Sequence, residues 1–105
     1  MELLYNWQVN LSRKAGKQAA RYKKEQPKVY AELAALMKDI AINGPVRKNW
    51  PNFSALGNGK GIPDNAYHCH IKKGRPTYVV CWREEDRKIK IVEVYYVGTH
   101  ENAPY

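Results

Sequence analysis

Two of the chain's three histidines, His68 and His70, lie in Tyr67–Arg75, which reads Y-H-C-H-I-K-K-G-R. On a β-strand, residues i, i+2 and i+4 share a face. His68, His70 and Lys72 then form a polar row, with neighbours about 6.6 Å apart at roughly 3.3 Å per residue. Tyr67, Cys69 and Ile71 point the other way, into a core. A face that carries two imidazoles and an ammonium needs solvent or an anionic ligand in front of it. Arg75, His100 and Tyr105 could join the same group. Imidazoles titrate near neutral pH and can act as base or acid, while Lys and Arg stabilise charge growing on a phosphate. Cleaving RNA without a metal requires these parts: a base for the 2′-OH, cations for the phosphorane and an acid for the 5′-oxygen. No carboxylate pair stands where a magnesium-dependent nuclease would need one. A zinc reading of His-x-His plus a third histidine competes, but Lys72 and Arg75 disfavour a dication beside them. No metal and no cofactor are expected.

These side chains must be held by a small scaffold. Leu3–Leu11 alternates from Tyr5 onward and reads as a half-buried strand. Ser12 is an N-cap for a helix from Arg13 to about Lys24. Ala15, Ala19 and Tyr22 give that helix a thin apolar stripe. Its exposed residues include Arg13, Lys14, Lys17, Arg21, Lys23 and Lys24, so it is either a phosphate-facing or acidic-partner surface or a solvated face. Pro27 opens a second helix, with Val29, Leu33, Leu36, Met37 and Ile40 at core spacing and Asn43-Gly44-Pro45 as its stop. Val46–Ala66 reads as a long loop anchored by Trp50, Phe53 and Leu56 through a short helical turn. Its Asn58-Gly59-Lys60-Gly61 could reach a phosphate with backbone N–H groups but matches no P-loop. Ala66–Lys72, Thr77–Arg83 and Lys88–Val97 are three strands, joined by turns at Lys73–Pro76 and Glu84–Arg87, and Gly98 ends the sheet. The order β-α-α-β-β-β is an α+β fold, a largely antiparallel sheet with a helical hairpin on one face.

Length and composition bound the rest. The 105 residues make a single domain spanning 1–105. Hydrophobic content of 44% is that of an ordinary folded chain. The net charge of +8 favours a polyanionic partner, RNA, DNA or an acidic protein, over a membrane surface. Cys69 and Cys81 lie in apolar strand runs without zinc or disulfide spacing and read as buried thiols. No basic segment precedes an apolar one at Met1–Trp7, and no run approaches the ~18 apolar residues of a membrane span. A soluble, cytoplasmic protein is expected.

The same residues carry a resemblance. The element order, N-G-P-V at the exit of the second helix, W-P-N-F-S-x-L in the loop, Y-H-C-H-I-K before the turn and V-Y-Y-V-G-T-H-E-N-A-P-Y at the end together resemble the RelE family of toxins from bacterial type II toxin–antitoxin systems, within the RelE/ParE superfamily. The resemblance implies an endoribonuclease, an mRNA interferase that enters the ribosomal A site, touches rRNA and cuts mRNA by 2′-OH attack. It implies a cognate antitoxin as partner. His68 and His70 fall where RelE-like proteins carry paired lysines, Lys72 at a further cation, His100 at an Arg or His after the Gly, and Tyr105 at the near-terminal Tyr. An imidazole of the 68/70 pair, or Tyr105, would be the base and His100 the acid. Lys72, Lys73 and Arg75 would hold phosphate, with Arg13, Lys17 and Arg21 as an outlying RNA-binding row, and Tyr105 could stack on a base. One feature departs from the family: the middle strand starts Thr77-Tyr78-Val79 without the usual Arg, and the nearest arginine is Arg75 in the turn. A ParE-like gyrase inhibitor, a ribosome-independent RNase and an rRNA-binding module without chemistry are the alternatives.

Overall fold

The computed structural model describes residues 6–57 and 61–105. The first part of the expected first strand, Tyr5 included, and Asn58-Gly59-Lys60 of the glycine-rich loop lie outside these residues. The elements run β1 (Gln8–Leu11), α1 (Arg13–Glu25), α2 (Pro27–Asn43), β2 (Ser54–Ala55), β3 (Ala66–Lys72), β4 (Tyr78–Asp86), β5 (Ile91–Thr99) and a single 3₁₀ turn, His100–Asn102. The strand order is β1-β5-β4-β3-β2. The β1–β5 pair is parallel and every other pair antiparallel.

The helices form where their caps and stripes require. Ser12 Oγ accepts from the Ala15 N–H at 3.1 Å, satisfying an orphan donor of α1. Pro27 occupies the first turn of α2, and Gly44 closes it at φ +94°. A Cβ on Gly44 would sit 3.2 Å from the Trp7 indole nitrogen, so glycine is required there twice over. The helical hairpin covers one face of the sheet. Val29, Leu33, Leu36 and Ile40 pack with Cys69, Ile71, Val80, Trp82, Val92, Val94 and Val97 in the main core, and the Trp82 indole donates to the Pro45 carbonyl at 2.9 Å.

The opposite face carries a much smaller cluster, Val79, Cys81 and Tyr96, flanked by Leu56, Tyr95 and Ala103. The two free thiols therefore face opposite sides of the sheet, and burial pushes both up to about 12.

Three features of the sequence reading need correction. Among the described residues, Val46–Ala66 contains no helix; successive turns, with Trp50 N bonded to Arg47 O and Phe53 N to Trp50 O, lead into the two-residue strand β2. Glu84–Arg87 is not the turn, because β4 continues to Asp86. Glu84 is buried there, accepting from the Tyr67 hydroxyl and the Arg87 guanidinium. The turn follows at 87–90, where Asp86 Oδ1 accepts from the N–H groups of Lys88 and Ile89. Gly98 does not end the sheet: it is inside β5, opposite Val79. A Cβ at Gly98 would meet the Tyr96 hydroxyl at 2.6 Å, so its role is to leave room for that ring.

Candidate functional site

The face away from the helices holds the chemistry. His68 pairs with Cys81 and His70 with Val79, both partners belonging to the small cluster, which puts the two imidazoles on that face. Their ring centroids are 6.0 Å apart, as the alternation requires. The row does not extend to Lys72. A bulge between His70 and Lys72 sets two residues of β3 against Tyr78 alone, and Tyr78 packs on the helix side, edge-on to Tyr22 at 5.4 Å. Lys72 is exposed and lines no cleft with the histidines.

His100 reaches the site from the end of β5. Its N–H donates to the Thr77 carbonyl at 2.8 Å, tying the 3₁₀ turn to the start of β4. Its ring lies 5.5 Å from that of His70, nearly perpendicular. The chain then folds back across the small cluster through Ala103, and the Tyr105 ring ends 4.7 Å from His68 and 6.1 Å from His100. All four residues chosen as catalytic candidates thus meet on one surface. Beside them opens a cleft of 630 Å³ lined by His70, Gly74, Arg75, Pro76, Thr77, His100 and Glu101. Arg75 stands in this cleft although it comes from the turn and not from the middle strand.

The electrostatics sort the roles. Burial lowers the His68 pKa below 6.5, and His100 lowers it further; a hydrogen bond to the Ser54 backbone works the other way. Burial lowers His70 too, with help from His68, His100 and Lys73. The lowering favours the neutral form of both rings, the form that can accept a proton. Burial pushes the Tyr105 hydroxyl up to about 12, so it stays a phenol at neutral pH and is the weaker candidate base. Among the described residues, no three His, Cys, Asp or Glu side chains are arranged to hold a metal ion.

The basic face of α1 is elsewhere. The helix packs on the side of the sheet that carries the main core, and Arg13, Lys17 and Arg21 are exposed along it. Arg21 is paired with Glu25 at 3.0 Å. It lines a second cleft of 310 Å³ with Lys14, Gln18, Thr99 and Asn102, on the α1 side of the turn that carries His100. Arg13 and Lys17 line neither cleft.

Sequence reasoning missed Ser54 and Glu101. Ser54 Oγ lies 3.0 Å from His68 Nδ1, across the β2–β3 pair. The signal for it was weak: one serine inside an apolar loop motif. Glu101 was hidden by its own neighbour, because the turn that aims His100 into the cleft also carries Glu101 to its rim.

No family model matches the sequence, and no curated protein matches it. Solved structures do. The YoeB dimer of Staphylococcus aureus superposes with a TM-score of 0.69 at 15% identity, covering 90% of this chain and 98% of that one. This is a RelE-like toxin fold. YoeB in a YoeB–YefM toxin–antitoxin complex from S. aureus matches with a TM-score of 0.68 at 14% identity over 90% of this chain and 97% of that one. A YoeB/ParE toxin from Agrobacterium tumefaciens gives 0.67 at 9% identity, over 89% and 98%.

Proposed function

We propose that this chain is the toxin of a type II toxin–antitoxin system, and that it is a metal-independent endoribonuclease that cuts mRNA on the ribosome. The observation that carries the reading is the meeting of His68, His70, His100 and Tyr105 beside a cleft containing Arg75. The RelE-like fold supports it, as does the net charge of +8. In the reaction, a neutral imidazole of the 68/70 pair takes the proton of a ribose 2′-OH. The 2′-oxygen attacks the adjacent phosphorus, Arg75 and Lys73 stabilise the phosphorane, and His100 gives a proton to the departing 5′-oxygen. The products are a 2′,3′-cyclic phosphate and a free 5′-OH. Tyr105, kept as a phenol, stacks on a nucleobase. A cognate antitoxin holds the toxin silent, as YefM accompanies YoeB in the S. aureus complex.

A ParE-like reading, gyrase inhibition without RNA cleavage, has one observation in its favour, the YoeB/ParE neighbour from A. tumefaciens. One experiment separates the two. The wild type and a His100→Ala/Tyr105→Ala variant are induced in growing cells, and mRNA 5′ ends are mapped on a translated transcript. New in-frame cuts that vanish in the variant are expected. Arrest without cuts, unchanged in the variant, moves the assignment to gyrase.

A further inference from the structure

β2 is two residues long, and both are exposed. A strand of this size adds almost no stability of its own, yet the surrounding loop fixes it closely. Trp50 Nε1 donates to Asp39 at 2.8 Å. Phe53 stacks on Tyr67 at 5.7 Å and touches the main core, while Leu56 packs on the small cluster of the opposite face. Backbone bonds from His70 N to the Pro51 carbonyl and from Leu56 N to the Ala66 carbonyl, both 2.8 Å, clamp the segment at each end. The product of all this anchoring is the register Ser54 opposite His68, with the hydroxyl 3.0 Å from Nδ1.

We propose that Ser54 is a positioning residue: its hydroxyl accepts from Nδ1–H of His68, fixes that tautomer, and leaves Nε2 with a lone pair for the ribose 2′-OH. The inference rests on the nuclease reading and deepens it by choosing His68 over His70 as the base. The two imidazoles differ in this respect, since Ser54 is the side-chain hydrogen-bond partner of His68 and no side-chain partner holds His70 among the described residues. A base needs its non-reacting nitrogen occupied, because an unrestrained imidazole exchanges its proton between two sites and rotates. The His70 and Tyr105 rings lie beside that of His68, at 6.0 and 4.7 Å between centroids, while Nδ1 has the Ser54 hydroxyl as its partner.

The test uses the full chain as wild type, Ser54→Ala and Ser54→Thr. Ring ¹⁵N shifts of His68 report the tautomer, and the pH profile of RNA cleavage on translating ribosomes reports the base. In the wild type a single Nδ1–H form is expected. In Ser54→Ala the shifts move toward the average of two exchanging tautomers and cleavage falls about three- to tenfold, the range for losing one hydrogen bond. The low-pH limb of the profile also moves. Ser54→Thr, which keeps the hydroxyl, restores both readouts. In a His68→Ala background, Ser54→Ala has no further effect. Wild-type His68 with its proton on Nε2, or Ser54→Ala with unchanged shifts or unchanged cleavage, overturns the proposal. A wild type that cuts nothing sinks the nuclease reading, and the ring shifts still decide whether Ser54 fixes the tautomer.

Discussion

Replacing Gly98 by alanine tests how the site is built. Gly98 has ordinary extended backbone within β5, so alanine suits its conformation and only space is at issue. The added methyl would stand 2.6 Å from the Tyr96 hydroxyl and 2.8 Å from the ring carbon that bears it. Tyr96 is buried against Val79 and Cys81, and its hydroxyl donates to the Thr99 carbonyl at 2.8 Å, one residue before His100. The ring cannot move aside without losing that bond and disturbing the cluster. Overpacking of this kind costs about 1–3 kcal/mol, and the bond adds about 0.5–1.5 kcal/mol. For a domain of this size, each kcal/mol is worth about 4 °C in Tm. A thermal melt followed by circular dichroism should therefore fall by about 6–18 °C by the same conversion. Cleavage at a temperature where both proteins are folded should fall as well, because Thr99 anchors the turn carrying His100. Tyr96→Phe alone should cost only the hydrogen bond. Combined with Gly98→Ala it removes the nearest clashing atom, so the two changes should be less than additive. A Gly98→Ala protein that melts within 1 °C of wild type would refute the reasoning, as would strict additivity in the double variant.

Other outcomes follow from the same contacts. The His68 and His70 pKa values are lowered from 6.5 by burial, so the unfolded chain binds more protons than the folded one between those lowered values and 6.5. Stability is then full above pH 6.5 and declines as pH falls through the folded values. A His68→Gln/His70→Gln variant should flatten that part of the Tm–pH curve, and an unchanged slope would contradict the burial argument. Asp39 accepts from Asn43, Asn49, Trp50 and Arg47, and its pKa is lowered from 3.8: burial opposes the shift, and these hydrogen bonds together with the Arg47 charge outweigh it. Asp39→Ala should cost about 1–3 kcal/mol in a urea melt by leaving partly buried donors unpaired. It should also speed proteolysis in residues 46–57, whose anchor it removes. Tyr105→Phe should retain most cleavage, because the hydroxyl, pushed up to about 12, is no base at neutral pH. Tyr105→Ala should lose more, and equal losses in the two variants would restore the hydroxyl to the chemistry.

Period-2 and period-3.6 patterns carry across long elements, and those elements were legible: both helices, the three long strands and the face shared by His68 and His70. The departures are local. Lys72 leaves the row at a bulge, which a strict alternation cannot express. A second bulge, between Cys81 and Trp82 against Tyr96 and Val94, brings Tyr95 as well as Tyr96 against the small cluster. Glu84–Asp86 looked like a turn because it is charged, yet Glu84 finds Tyr67 and Arg87 as partners and stays in the strand. β2 has no apolar pattern to betray it; it exists because its neighbours on both sides are anchored. Of the site, the three histidines and Tyr105 were readable from residue type and spacing. Ser54 was not, since its importance lies in a cross-strand register that forms between segments 14 residues apart.

The parallel pairing of β1 with β5 joins Gln8–Leu11 to Ile91–Val94. A contact between such distant stretches carries a large loop-closure cost, which falls once the intervening chain is compact. During synthesis β1 and the helical hairpin emerge with only one another to pack against, and the main-core face of the hairpin stays uncovered until β3–β5 follow. The same closing strand carries Gly98 and leads into His100, so the surface that gathers the three histidines cannot exist before the sheet is nearly whole. The histidine cluster is therefore among the last features of the chain to be assembled, and a nascent chain that ends before β5 lacks it.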